Sequence, residues 1–120
     1  MNLETETVTL NGVEYVRKGS ETAKVSDNYV IIRGDRSGVF AGNLVKKEGR
    51  EVTLENCRRI WYWEGASSLS QLAMEGVKKP NNCKFPCEVS KIKILDAIEV
   101  INCTDKAIKS IASVPVWEQK

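Results

Sequence analysis

The stretch Asn56–Leu72, NCRRIWYWEGASSLSQL, carries a strand into a helix, and its reading decides the fold. Its first half is arginine, isoleucine and large aromatics, residue types that suit a pleated, half-buried surface. Glu64-Gly65 breaks that strand. Ser67 or Ser68 then caps a helix running to about Val77, and Ser68-x-x-Gln71 fits a capping box, in which each residue's side chain satisfies the other's backbone N–H. Leu69, Leu72, Ala73 and Gly76 fall at i, i+3, i+4 and i+7, a narrow apolar stripe. Its small members permit close approach to a sheet or to a partner chain.

Working outward, Glu51–Trp63 is long for one strand, so the sequence predicts a bend or bulge near Asn56. Val39–Lys46 reads as the strand before it, turned by Lys47-Glu48-Gly49. Tyr29–Arg33 (YVIIR) is another, closed by the turn-rich GDRSG of Gly34–Gly38. Gly19–Asn28 reads as polar loop. Thr7–Lys18 holds two alternating runs around Asn11-Gly12, the signal for a type I′ hairpin. Downstream, Lys78–Pro86 is loop with a proline near each end. Glu88–Cys103 is strand-like with a phase change at Leu95-Asp96, giving two strands or one bent strand. Thr104 is a good N-cap for a short helix through Ser113, where Asp105 suits the helix dipole. Val114–Trp117 is extended, and Pro115 suggests a sheet edge. Parallel strands would need helical crossovers that this order lacks. The expectation is a single α+β domain over residues 1–120: a mainly antiparallel sheet of about six or seven strands, N-terminal hairpin included, with two short α-helices.

The 120 residues are 42% apolar and 28% charged, the balance of an ordinary globule, and the net charge is only +2. That gives no basic footprint for bulk nucleic acid. No apolar run approaches membrane-spanning length. The acidic, alternating start MNLETETVTL is not a signal peptide, so the chain is expected to stay in the cytoplasm where it is made. Cys57, Cys83, Cys87 and Cys103 are then reduced thiols, read as buried and inert. Cys83-x3-Cys87 is not the usual zinc knuckle and no histidine completes a mixed site, so neither a metal nor a cofactor is expected.

The missing histidine also removes the commonest general acid–base and every Ser-His or Cys-His nucleophile. No phosphate-loop or dinucleotide-binding glycine motif is present, and no catalytic residue is assigned. Binding is the better reading. Alternation sends Arg59, Trp61 and Trp63 to one face and Arg58, Ile60 and Tyr62 to the other. A fully buried strand would not carry adjacent arginines, so at least one guanidinium must reach solvent, a carboxylate or a ligand. In the bland reading an arginine stacks on an indole or pairs with Glu64, and the indoles fill the core. In the functional reading Arg58, Arg59, Trp61, Tyr62 and Trp63 line a pocket beside the helix start. There Ser67, Ser68 and the free N–H groups receive phosphate, and Asn82 and Phe85 close over a base.

YVIIR, GVFAG at Gly38–Gly42, RRIWYW-x-GA at Arg58–Ala66, SLSQLAMEGVK at Ser68–Lys78, CKFP at Cys83–Pro86 and SIASVPVW at the end resemble one small family encoded in bacteriophages and prophages. The resemblance runs from about Val8 to Trp117. The chain also resembles the phage anti-Thoeris sponge proteins, which are non-catalytic and oligomeric and sequester a cyclic ADP-ribose isomer. Some of them take up cyclic oligonucleotides as well. The resemblance implies a homo-oligomeric anti-defence protein of the host bacterial cytoplasm that holds a cyclic nucleotide signal without cleaving it. The alternative is a protein–protein interaction module that inhibits or adapts a host complex, anchored by Trp61 and Trp63.

Overall fold

The computed structural model describes residues 25–118. The Thr7–Lys18 hairpin expectation lies outside that range. Within it, alternating apolar runs build five antiparallel strands: β1 (Val25–Gly34), β2 (Val39–Glu48), β3 (Glu51–Arg59), β4 (Val89–Ile94) and β5 (Ala97–Thr104). Two helices, α1 (Leu69–Glu75) and α2 (Asp105–Ser113), and a 3-10 turn at Pro80–Asn82 complete an α+β fold. Among the described residues no helix is long and apolar enough to cross a membrane. The described residues hold five strands against an expected six or seven, two of which were expected in the hairpin segment outside them.

The open sheet has the order β4-β3-β2-β1-β5, so the consecutive strands β4 and β5 occupy opposite edges. Laid flat, those edges would stand roughly 19 Å apart, four strand spacings of about 4.8 Å. The three Cα steps from Ile94 to Ala97 reach at most about 11 Å. The sheet therefore curls until its edges approach at this end. Hydrogen bonds fasten the closure: Ala97 N donates to Arg50 O at 2.9 Å and Asp35 N to Asp96 O at 2.8 Å. The Asp96 carboxylate accepts from Arg36 N (2.7 Å), Ser37 N (3.0 Å) and Ser37 Oγ (2.5 Å). Gly34 lies so close that any Cβ there would collide with the Ser37 hydroxyl.

The curl creates two cores. Val30, Ile32, Phe40, Val52, Leu54, Cys57, Ile94 and Ala97 face inward and bury one another, with no described helix on that side. Ile31, Ala41 and Ile60 face outward, where α1, α2 and the Cys83–Phe85 loop cover them through Leu72, Ala73, Phe85, Ala107 and Ile111. The bulge expected near Asn56 is present. Ala41 pairs with Arg58 and Asn43 with Glu55, so β3 carries one extra residue, and Asn56 takes φ 51°. A second irregularity places an extra residue, Val45, in β2 between the Leu44–Leu54 and Lys46–Thr53 pairs.

Capping follows the sequence with one shift. The Ser68 hydroxyl accepts from Gln71 N at 3.1 Å, but Gln71 Oε1 returns to Ser67 N (2.7 Å) and Ser67 Oγ (2.8 Å), one residue earlier than a capping box requires. Thr104 caps α2 by accepting from Ala107 N at 3.1 Å. Helix α1 stops at Glu75, short of Val77, because Gly76 turns to φ 79° against Ser110. The small-residue face of α1 is thus used on α2 of the same chain. The C-terminal segment is extended as expected, yet it bridges Phe85 through Val116 and joins no edge of the main sheet.

Asn56→Ala is expected to cost about 1 kcal/mol, the left-handed penalty that asparagine relieves, and Asn56→Gly to cost little or to stabilise; urea midpoints at constant m-value check both. The three hydrogen bonds hold the Asp96 carboxyl below the usual aspartate range, Ser37 Oγ first. Its folded pKa lies below the unfolded value. Its contribution is therefore complete above the unfolded pKa and is lost as pH falls through the folded one. Asp96→Asn should weaken the fold at neutral pH and flatten the acid limb of a stability–pH profile, which acid titration of the melting temperature reads directly.

Candidate functional site

Arg58 and Arg59 are neighbours on β3 and project to opposite faces of the sheet. The Arg58 side chain, 8% exposed, lies on the helix side. A guanidinium has five N–H donors. Here they meet five backbone carbonyls: Ile111 at 3.0 Å and Val114 at 2.8 Å from one nitrogen, Phe85 at 2.9 Å and Pro115 at 3.4 Å from the second, and Pro86 at 3.4 Å from Nε. The carbonyls of Ile111 and Val114 end α2, where the helix dipole is negative and favours a cation. Burial lowers the Arg58 pKa, but a guanidinium remains charged. Arg58 is a structural clamp with every donor engaged.

The Arg59 guanidinium lies on the inner side, 4.4 Å above the Phe40 ring centroid. Its one hydrogen bond among the described residues runs to Ser37 O at 2.7 Å. Neither arginine stacks on an indole or pairs with Glu64, so that part of the bland reading is corrected: the partners are main-chain carbonyls and a phenylalanine. Gly38, at φ 111°, brings the backbone close enough that an added Cβ would touch the Arg59 guanidinium at 3.4 Å.

Arg59, Phe40 and Ile92 are common to the walls of two cavities on the inner face of the curled sheet. One, of about 470 Å³, continues past Arg36, Ser37 and Asp96. The other, of about 160 Å³, continues past Cys57, Pro86, Cys87 and Val89. Lys93 borders the larger one along β4, but its ammonium is paired with Glu51 at 3.1 Å. This trough brings together one residue of the sequence-derived set, Arg59, with residues that sequence reading left out. Arg36 and Ser37 sat in a turn motif, Phe40 and Ile92 in ordinary strand alternation, and Asp96 at a phase change. Their only signal was that GDRSG and RRIWYW each combine arginine with tight backbone.

The other expected site residues go elsewhere. Phe85 is fully buried beneath Arg58, whose Cζ is 5.3 Å from its centroid, and so lies in the core and not at a loop surface. Trp63 is half-buried, with its indole N–H donating to Ala66 O at 3.2 Å. The Ser67 and Ser68 hydroxyls are engaged with Gln71. Asn82 donates to Glu64 Oε1 at 3.3 Å, and Tyr62 donates to Glu64 Oε2 at 2.7 Å. Those two contacts, Tyr62 first, hold the Glu64 carboxyl below its usual range, and the hydrogen bond to Glu64 raises the Tyr62 phenol. Trp61 is 65% exposed. Lys84 Nζ lies 5.8 Å from the Tyr62 ring and 5.6 Å from the Trp117 ring, a second aromatic surface distinct from the trough.

Three of the four cysteines are buried, as expected; Cys87 is exposed. Burial pushes the Cys57 and Cys103 thiols up to about 12, so both are protonated near neutral pH and poor nucleophiles. Among the described residues no group of three or more cysteine and carboxylate side chains is placed to hold a metal.

One protein-family model, described as Domain of unknown function (DUF6948), matches residues 27–111, which include every strand but the start of β1 and nearly all of α2. No curated protein and no solved structure matches the chain.

The two arginines should separate cleanly on substitution. Arg58→Ala removes the donor of the Val114 carbonyl and a charge-assisted bond from four other carbonyls, of which Ile111 and Phe85 keep a backbone partner, and is expected to cost about 3 kcal/mol, with Arg58→Lys recovering only part. Arg59→Ala, exposed and bonded once, should stay within about 1 kcal/mol of the parent. Equilibrium urea unfolding of the three variants measures the difference.

Proposed function

We propose that this chain, which belongs to the family of that domain, is a non-catalytic binding protein that holds a phosphorylated, base-containing small molecule in the trough beside Arg59. The class that fits the resemblance is a cyclic nucleotide signal, a cyclic ADP-ribose isomer or a cyclic oligonucleotide, held intact in the host bacterial cytoplasm by a phage-encoded homo-oligomer. The observation that carries the reading is Arg59 itself: a guanidinium braced on an aromatic ring and one carbonyl, beside about 470 Å³ of open space. A cation fixed in this way is preorganised for phosphate, because little side-chain freedom is lost on binding. Arg36, an exposed arginine, borders the same space. The volume lies within the range of small-molecule sites. The proposed site thus moves from the helix start to the inner face of the sheet.

A second reading rests on a different observation. Tyr62 and Trp117, 44% and 46% exposed, flank Lys84, and Trp61, 65% exposed, precedes Tyr62 in the chain; tryptophan and tyrosine dominate protein–protein hot spots. Under it the chain is an interaction module that inhibits or adapts a host complex.

Under the first reading, micromolar cyclic ADP-ribose isomers or cyclic oligonucleotides raise the melting temperature, and denaturation releases the ligand unaltered. Arg59→Ala should weaken binding about tenfold to a hundredfold, the worth of one or two charge-assisted hydrogen bonds. Trp61→Ala should leave binding unchanged. No thermal shift with any of these nucleotides would sink the reading. Recovery from host lysate of one stoichiometric protein, lost on Trp61→Ala, would favour the second.

A further inference from the structure

From the chemistry of the two cavities flanking Arg59, we infer the orientation and class of the ligand: an organic phosphate whose phosphoryl group enters the larger cavity and whose flat ring enters the smaller. The inference rests on the binding reading above and deepens it. Beyond the residues the two cavities share, the larger carries Arg36, Ser37, Lys93 and Asp96 beside the apolar Ile94 and Leu95, whereas the smaller adds no charged residue. Arg36 and Arg59 both border it, and the Asp96 carboxylate, which lines it too, already accepts three hydrogen bonds, from the Arg36 backbone N–H and from the Ser37 N–H and hydroxyl. Those three donors offset its repulsion of a second anion. Lys93 also borders it, with its ammonium in an exposed pair with Glu51.

The smaller cavity has no charged lining apart from Arg59. Pro86, Val89 and Ile92 are apolar, and the Cys57 and Cys87 side chains add two polarizable sulfur atoms. At about 160 Å³ it admits one compact ring system and no more. A phosphate placed there would be desolvated without a second donor, which is costly; a ring would replace water against apolar walls. Arg59 stands between the two. Its guanidinium edge can bond phosphate in one cavity while its face borders the ring in the other.

Cys87 makes the orientation measurable, because it is the exposed thiol of the four and lies in the smaller cavity. The experiment follows iodoacetamide alkylation of Cys87 by intact-protein mass spectrometry, alongside thermal shift. The probes are inorganic pyrophosphate, adenosine, and the panel of cyclic ADP-ribose isomers and cyclic oligonucleotides. A cyclic nucleotide that raises the melting temperature is expected to slow Cys87 alkylation at least fivefold. Pyrophosphate should compete with that nucleotide for binding while leaving alkylation unchanged. Cys87→Trp should lose nucleotide binding and keep pyrophosphate binding. A nucleotide that binds without protecting Cys87, or pyrophosphate that protects it equally, overturns the orientation while binding in the trough stands. Absence of a shift with every member of the panel removes the binding reading, and the orientation with it.

Discussion

The two residues Leu95 and Asp96 set the shape of the whole molecule. They join strands from opposite edges of a five-stranded sheet, a span that no flat sheet permits. Curling is the only geometry that satisfies the link, and it divides the structure into an inside, filled by side chains from the strands alone, and an outside that needs helices. Asp96 makes the link hold by drawing the β1–β2 turn onto it through main-chain and side-chain hydrogen bonds. The same link helps to wall the trough, since Leu95 and Asp96 both border its larger cavity.

On the outer face the organising element is Arg58. Its carbonyl partners belong to the end of α2, to the segment after it and to the Phe85–Pro86 loop. One side chain therefore ties three stretches of chain to the back of β3. A buried charge without a carboxylate is tolerable because helix-end carbonyls carry partial negative charge and point the same way. The charge is stabilised by oriented dipoles and not by a contacting ion pair, a solution that leaves little to recognise in the sequence.

That explains how much could be read beforehand. Alternation gave the strands, the long Glu51–Trp63 run gave its own bulge, and the phase change at Leu95-Asp96 separated β4 from β5. Ser68 and Thr104 announced their caps through local chemistry. Each of these signals lies within a few residues of its effect. The partners of Arg58 lie 27 to 57 residues away, and they are backbone atoms, which every residue possesses. Phe85 read as a loop residue free to meet a ligand because CKFP has no periodic flank to declare it core. Arg59 was recognisable as a cation that must leave the core. Its companions in the trough were not, since Phe40, Ile92 and Asp96 each have an ordinary strand or turn reading.

The bulge at Asn56 has a meaning beyond local geometry. A strand assigns its residues to faces by parity, and an odd insertion inverts the assignment for everything after it. Val52 and Leu54 point inward on even numbers; beyond Asn56 it is Cys57 and Arg59, the odd ones, that do so. Were the strand regular from Leu54 onward, Arg58 would enter the interior and Arg59 would face the helices. The single left-handed residue is thus a parity switch. It determines which of two chemically identical neighbours becomes a brace and which is left with donors to spare.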